Sequence, residues 1–169
     1  MTTRVVLSAG SNIGDSRAHL RTVVDALGDD LRAVSDVHVT PPWGGVEQDD
    51  FANITLIADG DRTPREWLEF CWELERAADR VREIRWGPRT LDVDVVSVEA
   101  DGEPVVSDDE ALTLPHPRAR DRAFVLVPWL QIDSDAQLWT PDGVRPVADL
   151  VAALDPAEVA GVHSTGEQP

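Results

Sequence analysis

Two aspartates, Asp92 and Asp94, lie two residues apart in RWGPRTLDVDVVSV, a stretch that otherwise reads as a valine-rich strand. Aspartate is a poor strand former, because its short side chain competes with the ladder for backbone groups. In an extended strand Leu91, Val93 and Val95 point one way while Asp92, Asp94 and Val96 point the other. The two carboxylates then share a face, about 7 Å apart at their α-carbons. Such a pair suits a hard cation, since Mg²⁺ takes oxygen ligands and often binds through one or two carboxylates plus substrate phosphates. Two ions about 4 Å apart could be bridged by it. An edge strand showing two acids to water has the same spacing, so the setting has to decide. Eight of the fifteen arginines fall in two short segments, Arg76, Arg80, Arg82, Arg85 and Arg89, then Arg118, Arg120 and Arg122. They read either as two anion-binding edges or as surface partners of nearby glutamates.

His116 stands between two prolines in LPHP and just before the second arginine segment. A lone histidine is more often structural than catalytic, but a rigid one beside arginines suits a polyphosphate. Phe51 and Asn53 alternate on one expected strand and so face the same side. Phe124 follows the last arginine. Phenylalanines more often fill cores than sandwich ligands, yet two of the three in the chain flank polar segments that could bind.

The composition narrows the chemistry. The net charge is −17, which argues against a bulk nucleic-acid footprint. Every basic side chain is arginine, so neither a P-loop nor Schiff-base chemistry on lysine is available. Phosphate chemistry must then use arginine, backbone N–H groups or a metal. The single cysteine, Cys71, excludes an internal disulfide and a multi-cysteine zinc site. No apolar run is long enough to span a bilayer, and the N-terminal residues enter a strand rather than a signal-peptide core. A cytoplasmic chain without membrane or nucleic-acid partners is expected.

The elements that must hold these groups follow from periodicity. Arg4–Ser8 reads as a strand closed by AGSNIGD, and Asp15 or Ser16 caps a helix with Leu20, Val23, Val24 and Leu27 on one face. Val34–Val39 and Phe51–Ile57 read as strands joined by a long loop through TPPWGG. Thr63-Pro64-Arg65-Glu66 is a capping box with proline at the first helical position. It opens a helix whose core stripe runs through Trp67, Cys71, Leu74, Ala78 and Val81. Thr90–Val98 is the next strand, followed by a turn at 102–104. Phe124–Ile132 reads as a short helix or a buried strand, with Pro128 favouring a broken helix. Val147–Leu154 is a last helix. The order predicts an α+β fold with a ferredoxin-like βαββαβ core, a mainly antiparallel sheet with helices packed on it, plus C-terminal additions. One domain is expected over residues 1–155, with a flexible tail over 156–169.

Taken together, LSAGSNIGD, TPPWGGVEQDDFAN, ERAADRVREIRWGPRTLDVDVVSV and LTLPHPRARDRAFVLVPWLQI resemble the 6-hydroxymethyl-7,8-dihydropterin pyrophosphokinase family of folate biosynthesis. They cover most of the chain from Val5 to Ile132, and RWGPRTLDVD followed by LTLPHPR is the specific signature. The resemblance implies transfer of the β,γ-pyrophosphoryl group of ATP to the pterin hydroxymethyl oxygen, with release of AMP. It implies that Asp92 and Asp94 hold two Mg²⁺ ions against the triphosphate. Arg82, Arg89, Arg122 and His116 match groups on the ATP phosphates, with Glu75, Trp86 and Thr113 in the nucleotide segments. Phe51 and Phe124 match the rings around the pterin, and Asn53 matches the partner of its polar edge. Thr40, Pro42 and Trp43 fall in the contacting loop, and Gly10 and Asn12 in the first turn. Two positions depart from the family pattern, Trp72 where glutamine is frequent near the adenine and Ala111 where an arginine can occur. A monomer acting on ATP and the pterin is expected.

Two other readings share these residues. A non-catalytic nucleotide- or pterin-binding module would bind ATP without turnover, and loss of either aspartate would mark it. A metal-dependent glycosyl or phosphate-ester enzyme would use the aspartates alone and leave Phe51 and Asn53 without a role.

Overall fold

The strand that carries Ser8 and Gly10, β1 (Thr3–Ser11), lies at the centre of the sheet, paired antiparallel on both sides. The structure is a computed structural model and describes residues 2–41, 50–79 and 90–169. After β1 come α1 (Ser16–Leu27), β2 (Leu31–Val34), β3 (His38–Thr40), β4 (Phe51–Gly60), α2 (Pro64–Asp79) and β5 (Asp92–Ala100). The remainder comprises β6 (Glu103–Pro104), β7 (Ser107–Asp109), β8 (Leu112–Leu114), α3 (Ala123–Ile132), β9 (Gln137–Thr140), β10 (Gly143–Pro146), α4 (Val147–Ala153), α5 (Pro156–Ala160) and β11 (His163–Ser164). The main sheet runs β11-β3-β4-β1-β5-β6, with β2 also pairing β4. Helix α1 links β1 to the β2 and β3 stretch, β4 returns beside β1, and α2 leads to β5 on its other side, which is the βαββαβ topology expected.

Alternation along the central strands builds two cores. Val5, Leu7 and Ala9 of β1, Ile54, Leu56 and Ala58 of β4, and Val93, Val95 and Val98 of β5 face α1 and α2. Leu20, Val23, Trp67 and Cys71 from the two helices complete this side, all fully buried. The helix starts are the ones the sequence signals. Asp15 accepts from the Ala18 N–H at 3.1 Å. At α2, Thr63 and Glu66 exchange side-chain-to-backbone bonds of 3.1 Å each, the reciprocal capping box. Cys71 is a packing residue, its thiol pushed up first by burial and further by the charges of Glu75 and Asp94.

The opposite face is divided. Val6, Ile57 and Val96 pack under α3 and α4, against Val125, Leu126, Trp129 and Val147. Further along the same strands the same face carries Ser8, Gly10, Asn53, Asp92 and Asp94. Helix α3 covers the apolar half. Its N-terminal end is pinned where the Thr55 hydroxyl donates to the Val125 carbonyl at 3.2 Å.

Several boundaries differ from the sequence reading. The strand expected over Val34–Val39 is interrupted at Ser35–Val37. There the Ser35 hydroxyl takes the Thr55 N–H at 3.0 Å and donates to the Asp36 carbonyl at 2.9 Å, side-chain bonds that displace the ladder. Phe124–Ile132 is one helix with Pro128 inside it. Burial of an almost wholly apolar segment outweighs the one bond that proline removes. The turn after β5 is Asp101-Gly102, both at positive φ, so that Glu103 and Pro104 become a strand. Residues 156–169, expected as a flexible tail, carry α5 and β11, and β11 pairs with β3. Finally β5 holds a bulge: Val6 pairs with Ser97 but Leu7 with Val95, leaving Val96 as the extra residue. The carbonyl of Val96 accepts the His116 N–H at 2.8 Å. Among the described residues no helix is long and apolar enough to cross a membrane.

Candidate active site

Pairing register assembles the site. Across the sheet His38, Asn53, Gly10 and Asp92 form one row, and Thr55, Ser8 and Asp94 form a second row on the same face. Thr40 and Phe51 form a third. Phe124 at the start of α3 and Arg122 just before it reach the uncovered half. The result is a cleft of about 350 Å³ lined by Ser8, Gly10, Thr40, Phe51, Asn53, Asp92, Asp94, Arg122 and Phe124. That volume suits a small planar ring with a few placed polar groups.

At its floor Asn53 is 5% exposed, and its amide donates to the Thr40 hydroxyl at 3.2 Å. A β-carbon added at Gly10 would meet the Asn53 Oδ1 at 2.9 Å. Glycine is therefore what lets that amide lie across β1. The aromatic pair Phe51 and Phe124 supplies apolar wall, and the Arg122 guanidinium lies 5.5 Å from the Phe124 ring centroid.

At the charged end Asp92 and Asp94 are both exposed on the site face, as the alternation predicts. Arg122 approaches Asp94 at 3.7 Å. Among the described residues no three His, Cys, Asp or Glu side chains converge as a closed metal cage. Two exposed carboxylates on one strand face fit Mg²⁺, which keeps several ligands for water and phosphate oxygens. His116 is half-buried, and its Nδ1 accepts the Arg118 N–H at 3.2 Å, so the neutral ring carries its proton on Nε2. Burial pushes its pKa down; Asp94 opposes this, and Arg122 and Arg118 add to it. A neutral imidazole with an Nε2–H donor is suited to a phosphate oxygen.

The structure brings together Gly10, Thr40, Phe51, Asn53, Asp92, Asp94, Arg122 and Phe124. Thr113 and His116 line a separate cavity of about 490 Å³ with Arg120 and Trp139. Glu75 lies on α2, which packs on the other face of the sheet, and Asn12 is buried just beyond the end of β1; neither lines the cleft. Trp72 is exposed on α2, with Arg65 5.0 Å from its ring centroid. Pro42, Trp43, Arg82, Trp86 and Arg89 lie outside the described residues. Sequence reasoning passed over Ser8, although its parity with Gly10 on β1 puts it on the site face. It also passed over the C-terminal residues Ala157, Glu158, Gly161 and Val162. With Thr40, Pro41, Arg118, Arg122 and Phe124 they line an adjoining cavity of about 770 Å³.

Residues 6–134 match the family model of the 7,8-dihydro-6-hydroxymethylpterin-pyrophosphokinase (HPPK). The chain is 53% identical over 163 residues to the 2-amino-4-hydroxy-6-hydroxymethyldihydropteridine pyrophosphokinase of Mycobacterium tuberculosis, covering 92% of this chain and 86% of that one. It is 43% identical to the enzyme of the same name from Methylorubrum extorquens, covering 95% and 99%. Among solved structures it is similar to a Plasmodium falciparum HPPK-DHPS triple mutant with SDX-DHP, with a TM-score of 0.63 and 12% identity. That match covers 90% of this chain but only 44% of the larger one, and it speaks to the fold.

Proposed function

The chain belongs to the 7,8-dihydro-6-hydroxymethylpterin-pyrophosphokinase family, and on that premise we propose that its transfer chemistry is performed in the cleft where Asn53, Gly10, Asp92 and Asp94 meet. It is an ATP-dependent transferase of folate biosynthesis that moves a pyrophosphoryl group onto hydroxymethyldihydropterin. The pterin lies between Phe51 and Phe124, where ring faces gain stacking, and its donor and acceptor edge meets the Asn53 amide. The triphosphate lies over Asp92 and Asp94, which would hold two Mg²⁺ ions, and those ions would supply charge to offset that of the phosphates. Arg122 and the Nε2–H of His116 add donors to the same oxygens, with Arg82 and Arg89 assigned there by resemblance. Trp86, Thr113 and Glu75 serve the nucleotide, and Asn12, Pro42 and Trp43 the pterin side.

Transfer of this kind asks the protein for position and charge neutralisation, with no covalent nucleophile. The hydroxymethyl oxygen attacks the β-phosphorus while the bond to the α,β-bridging oxygen breaks. AMP leaves with that oxygen, and the hydroxyl proton passes to solvent. The observation that supports this reading is the register of the three strands. It sets an amide, a glycine and two carboxylates across one uncovered sheet face, with Arg122 and Phe124 beside them.

The test is AMP formation from ATP and 6-hydroxymethyl-7,8-dihydropterin with and without Mg²⁺, in the unchanged protein and in Asp94→Asn. Turnover should need the metal, and Asp94→Asn should lower kcat far more than it weakens pterin binding. Absence of AMP, or equal losses in turnover and pterin affinity, would refute the assignment.

A further inference from the structure

Strand β3 is only three residues long, yet it carries Thr40, the hydroxyl that accepts from the Asn53 amide. One side of β3 is held by β4, and the other by the C-terminal segment. His163 pairs with Val39 and Ser164 with His38. Just before β3, both backbone groups of Val37 are taken by the same segment. The Val37 N–H donates to the Glu167 carbonyl at 2.8 Å, and its carbonyl accepts the Thr165 N–H at 2.9 Å and the Thr165 hydroxyl at 2.9 Å. The Ser164 hydroxyl reaches Asp36 at 3.0 Å, and the Gln168 amide reaches the Val34 carbonyl at 3.1 Å. These contacts cross the interruption between β2 and β3, where the main ladder has lapsed.

The segment is in turn fastened to α1. Arg17, on the first turn of α1, pairs with Glu167 at 2.8 Å and donates to the Gln168 carbonyl at 2.7 Å. Upstream, Gly161 lies against Pro41, the residue after Thr40, and Ala157, Glu158 and Val162 wall the cavity that Phe124 and Arg122 line from the other side. The tail therefore touches the substrate cleft's neighbourhood without entering it.

Resting on the reading of the cleft as the pterin site, we infer that residues 161–169 act as a strap that positions Thr40, and through it the Asn53 amide, for pterin recognition. Thr165 and Arg17 are its positioning residues; neither lines the cleft. Released from the strap, β3 would be a three-residue edge strand preceded by an irregular stretch. Such a strand frays readily, and Asn53 would lose the group that orients its amide.

Three variants test this: Thr165→Pro removes both donors to Val37, Thr165→Ser keeps them, and Arg17→Ala frees the far end. The readouts are hydrogen exchange at the Val37 amide and dissociation constants for a non-hydrolysable ATP analogue and for 6-hydroxymethyl-7,8-dihydropterin. In Thr165→Pro, and less strongly in Arg17→Ala, exchange should accelerate. Pterin binding should weaken roughly tenfold in Thr165→Pro while the nucleotide constant holds. Thr165→Ser should behave as the unchanged protein does. Faster exchange with undiminished pterin affinity would overturn the inference, as would equal weakening of both substrates or exchange that does not change. If the unchanged protein bound no pterin, the reading of the cleft would fall, and the strap's role with it.

Discussion

Replacing Gly10 by alanine adds one methyl group at the point where β1 passes beneath the Asn53 amide. The new carbon would stand 2.9 Å from Oδ1, closer than side-chain carbons are found, so the amide must turn away. Turning breaks the 3.2 Å bond to Thr40, and a neutral hydrogen bond contributes about 0.5–1.5 kcal/mol. A displaced rotamer costs a similar amount, about 0.5–1.5 kcal/mol. Against this, replacing glycine with alanine in an extended segment stabilises by about 0.4–1 kcal/mol through the unfolded chain. The fold should therefore lose between nothing and about 2.6 kcal/mol. Pterin binding should suffer more, because a misaimed amide leaves buried polar atoms unpaired on both sides, at about 1–3 kcal/mol. That corresponds to roughly 5- to 150-fold weaker binding. Equilibrium titration of the pterin with an ATP analogue present measures it, and the nucleotide constant should stay nearly unchanged. A double-mutant cycle supplies the decisive comparison. In an Asn53→Ala background the space above Gly10 is open, so Gly10→Ala should have almost no further effect. If Gly10→Ala weakened pterin binding by the same factor in both backgrounds, the collision would not be the cause and the reasoning would be refuted.

Phe124→Ala should reduce pterin affinity by about 1–3 kcal/mol of lost stacking and burial, and unchanged affinity would remove Phe124 from the site. His116 predicts a pH dependence of stability in the substrate-free protein. Its folded pKa lies below the unfolded value, chiefly through burial, so the unfolded chain takes up the proton first and stability falls as pH drops through about 6.5. Thermal melting between pH 5 and 8 should show a shallower acid loss for His116→Gln than for the unchanged protein, and parallel curves would count against the buried neutral imidazole.

What could be read from sequence was whatever repeats or is signalled locally. Alternation in LDVDVV separates core from site side chains residue by residue, and the structure keeps that parity for Asp92 and Asp94, whereas Gly10, read as part of a turn, lies within β1. The reciprocal bonds of Thr63 and Glu66 are likewise a local signal. The interruption at Ser35 and the docking of residues 156–169 depend on partners far along the chain. Thr55 is twenty residues from Ser35, and Val37 is 128 residues from Thr165, so no window of sequence holds both halves. Helix α3 was ambiguous because an apolar run with proline has no periodicity to choose between helix and strand. That Thr113 and His116 also line a cavity of their own, with the charges of Asp94 and Arg122 still acting on the His116 ring, was not legible either, since resemblance supplies residue identities without distances.

The extra residue in β5 bears on how the chain tolerates change in length. Upstream of Val96 the outward side chains are Asp92 and Asp94; downstream, the parity is reset so that Val98 returns to the inner core. Sliding β5 along β1 would carry the irregularity away from Val6 and Leu7 and drag the Val96 carbonyl off the His116 N–H. One misfit residue thus works as a detent, giving the two carboxylates and the histidine a single setting along the strand. Deleting Val96 would leave Val95 and Ser97 opposite Leu7 and Val6, so the core and the carboxylate face would both survive, while the His116 N–H would lose its acceptor and the strand its stop.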